Sequence, residues 1–341
     1  MTETERKTWV VDESGAGDYR TLTEAVAACA ATPDEPVRFY IRHGIYEERP
    51  FIELADYVIE GEYRNATVIT ASVGGRDPWP GEVKTGTFRS ATLFLGGGRA
   101  VVRNLTVQNN AGDGAKAGQA LAVYADASRV LMENVNLYGN QDTLFTAPLP
   151  LQEREQNGFR GPRENTPRLD TVQYYKDCTI RGNIDFIFGG ANAVFDTCRL
   201  EPWHHISGTC YITAPSTPAG KPGYLFVNCT VQGSCAPFRC TGKSVTDEPS
   251  IANDMQRLSA VFDVVRLVDP TKYAVLDLDA DGILHRTGER CAAFWDNDAG
   301  CANCISARAF AEHTTLNKLE FTRNEMYFVI AKYITINSTP C

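Results

Sequence analysis

Short runs of alternating apolar and polar residues dominate the chain. V-R-F-Y-I-R (37–42), Y-V-I-E-G-E (57–62) and A-T-V-I-T-A (66–71) each carry the period of a half-buried strand. One early segment differs. Residues 19–31, Y-R-T-L-T-E-A-V-A-A-C-A-A, offer Thr21 or Thr23 as a cap and predict a short amphipathic helix. In the central region the alternating runs become a degenerate repeat: V-R-N-L-T-V-Q-N (102–109), M-E-N-V-N-L-Y-G-N (132–140), Y-K-D-C-T-I-R-G-N (175–183), F-D-T-C-R-L-E (195–201) and F-V-N-C-T-V-Q-G (226–233). In each copy Asn, Asp or Thr precedes an apolar anchor. The anchors Leu105, Val135, Cys178, Cys198 and Cys229 are 30, 43, 20 and 31 residues apart. A constant strand pattern at variable spacing fits solenoid coils whose loops differ in length, since stacking buries an apolar face that one coil cannot bury alone. The pattern predicts an all-β chain, a parallel β-helix with a short N-terminal helix cap; a β-sandwich is the competing architecture. In the solenoid, Cys178, Cys198 and Cys229 form an inward stack of small core residues.

Composition narrows the class. The 341 residues are 43% apolar and 22% charged, with 28 glycines and 17 prolines, which excludes a disordered chain and allows a single large β architecture. A net charge of −9 argues against nucleic acid, which needs a basic face. No apolar run is long enough to predict a membrane helix. The opening M-T-E-T-E-R-K-T-W shows no apolar h-region, so no signal peptide is visible and the compartment stays open. Eleven cysteines cannot all pair within the chain, and free thiols are the expectation.

Two repeats continue alike past their anchors, as Y-G-N-Q-D-T-L-F (138–145) and R-G-N-I-D-F-I-F (181–188). Asp142 and Asp185 each follow their anchor by seven residues. On neighbouring coils in register their carboxylates would stand roughly 4.8 Å apart, one strand spacing. Two carboxylates that close among apolar residues do not both ionise easily, which makes a proton donor beside a carboxylate nucleophile. The plain alternative is a pair of turn residues that satisfy backbone N–H groups.

These strings also carry a resemblance. G-N-Q-D-T-L-F and G-N-I-D-F-I-F-G resemble signature motifs of the pectin methylesterases. H-G-I-Y-E-E (43–48), G-T-F-R-S-A-T (86–92), G-Q-A-L-A-V (118–123) and Y-I-T-A-P-S-T-P (211–218) resemble further family motifs, from about Trp9 to Pro237. The resemblance implies a right-handed, single-stranded parallel β-helix of the pectin-lyase type. It implies an aspartyl esterase that acts on methylated homogalacturonan and needs no metal or organic cofactor. Asp185 would attack the ester carbonyl. Asp142 would protonate methanol and then activate water, and Gln141 and Gln119 would donate to the oxyanion. Thr92, Tyr46, Phe145, Phe188 and Ile184 would line the sugar site. The expected partner is pectin and the expected state a monomer, without nucleic acid or membrane. Family members usually work outside the cell.

The pattern stops after residue 237, which divides the chain into a β-helix domain (1–237) and a divergent continuation (238–341). The family's L-G-R-P-W, whose arginine keeps the nucleophile ionised, is replaced by C-A-P-F-R-C-T-G-K-S-V (235–245), with Arg239 the nearest arginine. Back-translated and read one base later, F-R-C-T-G-K-S spells S-V-V-L-G-S-P, close to the expected segment. A shifted reading frame is therefore one reading of the tail. F-W-D-N (294–297) and F-A-E (310–312) echo the family again. D-L-D-A-D-G (277–282) opens like a calcium loop, but Gly288 stands where its acidic twelfth residue belongs. Cys301 and Cys304, with Cys291 and His313, could ligate zinc. His204 and His205 follow Trp203, on the surface or at the rim of a sugar groove. Two other functions remain open. A member without the arginine could bind galacturonan and not turn it over, or the enzyme could cleave the polysaccharide backbone.

Overall fold

The computed structural model describes residues 6–153, 155–203 and 210–234, and beyond them segments 238–239, 267–269, 274–278, 284–290, 304–313, 315–321, 326–332, 335–336 and 339–340. The chain divides into two compact units, residues 6–245 and residues 1–5 with 246–341.

In the first unit the central turns of the solenoid have three strands, the first two of which run together in Phe51–Gly61 and Leu93–Arg103. The chain runs through Val123–Ala125, Arg129–Glu133 and Asn136–Tyr138, then turns at residues 139–143 into Leu144–Thr146 of the next coil. All ladders between coils are parallel. Leu144 pairs with Val123 and Ile187, Leu131 with Val101 and Tyr174, and Leu137 with Val107 and Ile180. Among the described residues these ladders make a 12-stranded and a 7-stranded sheet. A sandwich joined by hairpins would pair antiparallel; the chain adopts the expected parallel β-helix, right-handed and single-stranded.

The residue before each anchor explains the coil. Asn104, Asn134, Asp177, Thr197 and Asn228 all have φ between 51° and 57°. One left-handed residue turns the second strand into the third, and Asn or Asp tolerates that conformation best. The anchors that follow point inward. Leu105, Val135, Cys178 and Cys198 are buried, with Cys229 half-buried against them. Hydrogen bonding to the Cys178 and Cys229 thiols, and burial, push the Cys198 thiol well up. Beside them Tyr175, Phe195 and Phe226 stack at 4.7 and 4.6 Å.

The expected helix covers only Leu22–Ala28 and closes on the first coil through Leu22 and Ala25. Thr21 caps it, accepting from the Glu24 N–H at 3.1 Å. Glu48, from H-G-I-Y-E-E, accepts from the N–H groups of Leu22 and Thr23 at 2.9 and 2.8 Å, so this motif ties the cap to the solenoid.

Free thiols are not universal. Cys210 is disulfide-bonded, whereas Cys29, Cys178, Cys198, Cys229 and Cys304 are free. No described helix is long and apolar enough to cross a membrane.

The second unit pairs differently. Leu267–Asp269, Ala274–Leu278 and Leu284–Arg290 form an antiparallel sheet, and Thr315–Phe321 pairs antiparallel with Met326–Lys332. Asp277 pairs with His285 across this sheet, and residues 279–282 of the stretch that opens like a calcium loop lie outside the described residues. Cys304 caps the helix Ile305–Glu312, and His313 ends it. Cys291, Cys301, His204 and His205 lie outside the described residues.

Candidate active site

The turn from the third strand into the next coil brings two carboxylates together. Leu144 pairs with Ile187, so two residues earlier Asp142 and Asp185 occupy one register position on adjacent coils. The Asp142 N–H donates to Ile184 O at 2.9 Å. Both aspartates are left-handed, with φ of 63° and 46°. Two asparagines brace the turns. The Asn183 N–H donates to Asn140 O at 2.9 Å, and the Asn183 Oδ1 accepts from the Ile184 N–H at 2.8 Å. Thr143 Oγ1 donates to Arg181 O at 2.9 Å. The glycine of each G-N-x-D string makes room for this packing. A Cβ on Gly139 would stand 2.7 Å from Thr143 Oγ1, and one on Gly182 would collide with Phe186.

Asp142 is 8% exposed and Asp185 half-buried. Burial, and after it the charge of Asp185, pushes the Asp142 carboxyl well above the ordinary carboxylate range. Of the two carboxyls, that of Asp142 therefore resists ionisation more than an ordinary carboxylic acid does.

The two glutamines sit on the neighbouring turns. The Ala120 N–H donates to Gln141 O at 3.1 Å, which puts Gln119 one coil before Gln141. Gly75 and Gly114 pack against the two amides, where a Cβ would crowd them. Ile184 and Phe188 are half-exposed on the coil of Asp185.

Three residues expected at the sugar site are buried. Tyr46 is a core residue: its ladder partner is Ile69, an inward position, and its hydroxyl donates to Arg42 O at 3.0 Å. Burial pushes that phenol up to about 12. Thr92 is fully buried and donates to Gln108 O at 3.0 Å. Phe145 is 1% exposed, covered by Phe88 at 4.9 Å, with Phe159 against Phe88 at 6.1 Å.

Sequence reasoning missed the structural role of Asn140 and Asn183, although both stand in the shared G-N-x-D string. It also set Arg239 aside for its context. The backbone of Phe238–Arg239 pairs with Cys210–Tyr211, Arg239 opposite Tyr211. Tyr211 is hydrogen-bonded through its backbone to Asn183 and Phe186. Arg239 thus extends the register column of Asp142, Asp185 and Tyr211.

A pectinesterase family model matches residues 8–150 and 168–246. The chain belongs to the pectinesterase family. The matched part stops where the first unit ends, at Val245, and it leaves out residues 151–167. Within that insertion Phe159 packs on Phe88 and Arg163 pairs with Glu53 and Asp126, which seals the aromatic face at Phe145.

The chain is 33% identical over 229 residues to the probable pectinesterase/pectinesterase inhibitor 64 of Arabidopsis thaliana, covering 63% of this chain and 33% of that protein. It is 32% identical over 241 residues to pectinesterase 1 of Solanum lycopersicum, covering 69% and 35%. The chain thus spans about a third of the length of these curated relatives. Among solved structures, pectin methylesterase PemA from Erwinia chrysanthemi aligns with a TM-score of 0.54 at 26% identity, over 67% of this chain and 66% of its own. A pectin methylesterase in complex with a hexasaccharide aligns with a TM-score of 0.55 at 26% identity, over 70% and 72%.

Proposed function

We propose that this chain hydrolyses the methyl esters of homogalacturonan to free carboxylates and methanol. The observation that carries the reading is the pairing of Asp142 and Asp185 on adjacent coils, with Asp142 buried and its carboxyl pushed well above the ordinary carboxylate range. The names of the family relatives support the substrate class.

The Asp185 carboxylate attacks the ester carbonyl, and the electron pair moves to the carbonyl oxygen, where the Gln119 and Gln141 amides donate. The intermediate collapses and expels the methoxy group, which takes the proton from Asp142 and leaves as methanol. The ionised Asp142 then takes a proton from water. The hydroxide attacks the acyl-aspartate and releases galacturonate, so both aspartates return to their starting states. Arg239, whose backbone pairs with Tyr211, is the nearest candidate for the place of the arginine in L-G-R-P-W.

Methanol release from methylated pectin tests the reading. Wild type is expected to release methanol without shortening the chain, and Asp185→Ala to release none. Gln119→Ala and Gln141→Ala are each expected to slow release by roughly 10²–10³. Chain shortening without methanol would replace this reading by backbone cleavage. Binding without either would leave a non-catalytic galacturonan binder.

A further inference from the structure

A second concave feature lies on the 7-stranded sheet, outside the catalytic turn. Tyr138, Arg181 and Glu201 are successive ladder partners on its outer face. The Arg181 guanidinium lies 4.3 Å from the Tyr138 ring centre and 5.5 Å from that of Trp203. Its Nε and Nη2 donate to one Glu201 oxygen at 2.8 and 2.7 Å, while Arg199 Nε pairs with the other at 2.6 Å. Trp203 is 44% exposed, and its Nε1 donates to Asn140 Oδ1 at 3.1 Å. Arg181, Arg199, Glu201 and Trp203 line an open hollow of about 480 Å³, with Gln232 and Ser234 on its rim.

The charges in this hollow do not cancel. Two guanidinium groups share one carboxylate, which leaves a surplus positive charge on a chain whose net charge is −9. The Arg199 side chain is 51% exposed, so the surplus faces solvent. The indole beside it is fixed by its hydrogen bond to Asn140, which lowers the entropy lost when a ligand stacks on it. A flat apolar ring next to an unneutralised guanidinium matches an acidic sugar, with the C–H face of a pyranose on the ring and a carboxylate on the cation. Neutral methyl-esterified sugars would satisfy only the ring.

We propose that this hollow is a binding site for de-esterified galacturonan, formed by Trp203, Arg199 and Arg181. The proposal rests on the pectin reading of the catalytic turn, to which Asn140 connects it. As ester groups are removed, the substrate gains the carboxylates that this site recognises.

The test is calorimetric titration of the full chain with a fully de-esterified oligogalacturonate, alongside the fully methylated oligomer. Trp203→Ala is expected to weaken binding of the acidic oligomer about tenfold. Arg199→Ala is expected to weaken it less, reduce its salt dependence and leave binding of the methylated oligomer unchanged. Both side chains are exposed enough for the variants to fold, which circular dichroism checks. No binding of the acidic oligomer, or affinities of both variants within about twofold of wild type, would overturn the site. Methanol release is measured on the same preparations. Trp203-dependent binding without methanol would defeat the esterase reading and keep the site, and methanol without that dependence would do the reverse.

Discussion

Asp142 is held at a φ of 63° with its N–H committed to Ile184 O and its carboxyl shut away from solvent. Burial and the neighbouring Asp185 raise its pKa in the folded state, against about 3.9 in the unfolded chain. Above that unfolded value the folded state binds more protons than the unfolded one, so this residue's contribution to stability falls as pH rises through its folded pKa. Asp142→Asn keeps the shape and removes the titration. The variant is expected to melt higher than wild type at pH 7 and to lose that advantage below about pH 4. Methanol release should fall at the same time, because an amide cannot protonate the leaving group. Thermal melts at both pH values decide it: an unchanged or lower melting temperature at pH 7 would show that Asp142 is not held protonated. In the proposed mechanism methanol release is expected to fall on the alkaline side as Asp142 ionises.

At the scale of the element, the turn between second and third strands recurs with one weak copy. Asn104, Asn134, Asp177 and Asn228 suit the left-handed conformation, but Thr197 adopts φ 53° with a β-branched side chain. Thr197 is exposed, and its hydroxyl makes a hydrogen bond to Asp196 Oδ1 at 2.9 Å. Thr197→Asn is expected to raise stability by about 1 kcal/mol. Urea denaturation would show a higher midpoint at unchanged slope, and no shift would mean that the Asp196 contact offsets the strain. These turns were legible in the sequence because the polar residue and the inward anchor recur together in five coils. The aspartate pair was legible for the same reason, as an equal offset from two anchors. Tyr46 was readable too: in the strand Gly44–Glu47 it alternates with exposed Ile45 and Glu47, which fixes its inward direction. The burial of Phe145 was not. Phe88 covers it from a segment far away along the chain, with Phe159 packed on Phe88, and local periodicity carries no record of such long-range cover.

At the scale of the whole molecule, a solenoid is only as stable as its ends, because each coil draws its burial from its neighbours. The strand Asn192–Asp196 is buried at every position. Its ladder partner on the next coil, Tyr224–Val227, is half-exposed throughout, and Thr230–Val231 after it is exposed. Burial therefore fades over one coil, shortly before the matched family region and the first unit end. The paired aspartates lie on the better-buried side of this change, while Arg239 lies beyond it. Local opening should begin at the half-exposed strands and reach the turns of the paired aspartates last. In hydrogen exchange of the full chain, the amides of residues 224–227 are expected to exchange faster than those of 192–196, with 144–146 slower still. Bound galacturonan should slow exchange at 224–227 less than at the catalytic turns. Equal protection across the three strands would mean that the end of the solenoid is covered as well as its middle, and that the coil carrying Arg239 is as firmly held as the carboxylates it aligns with.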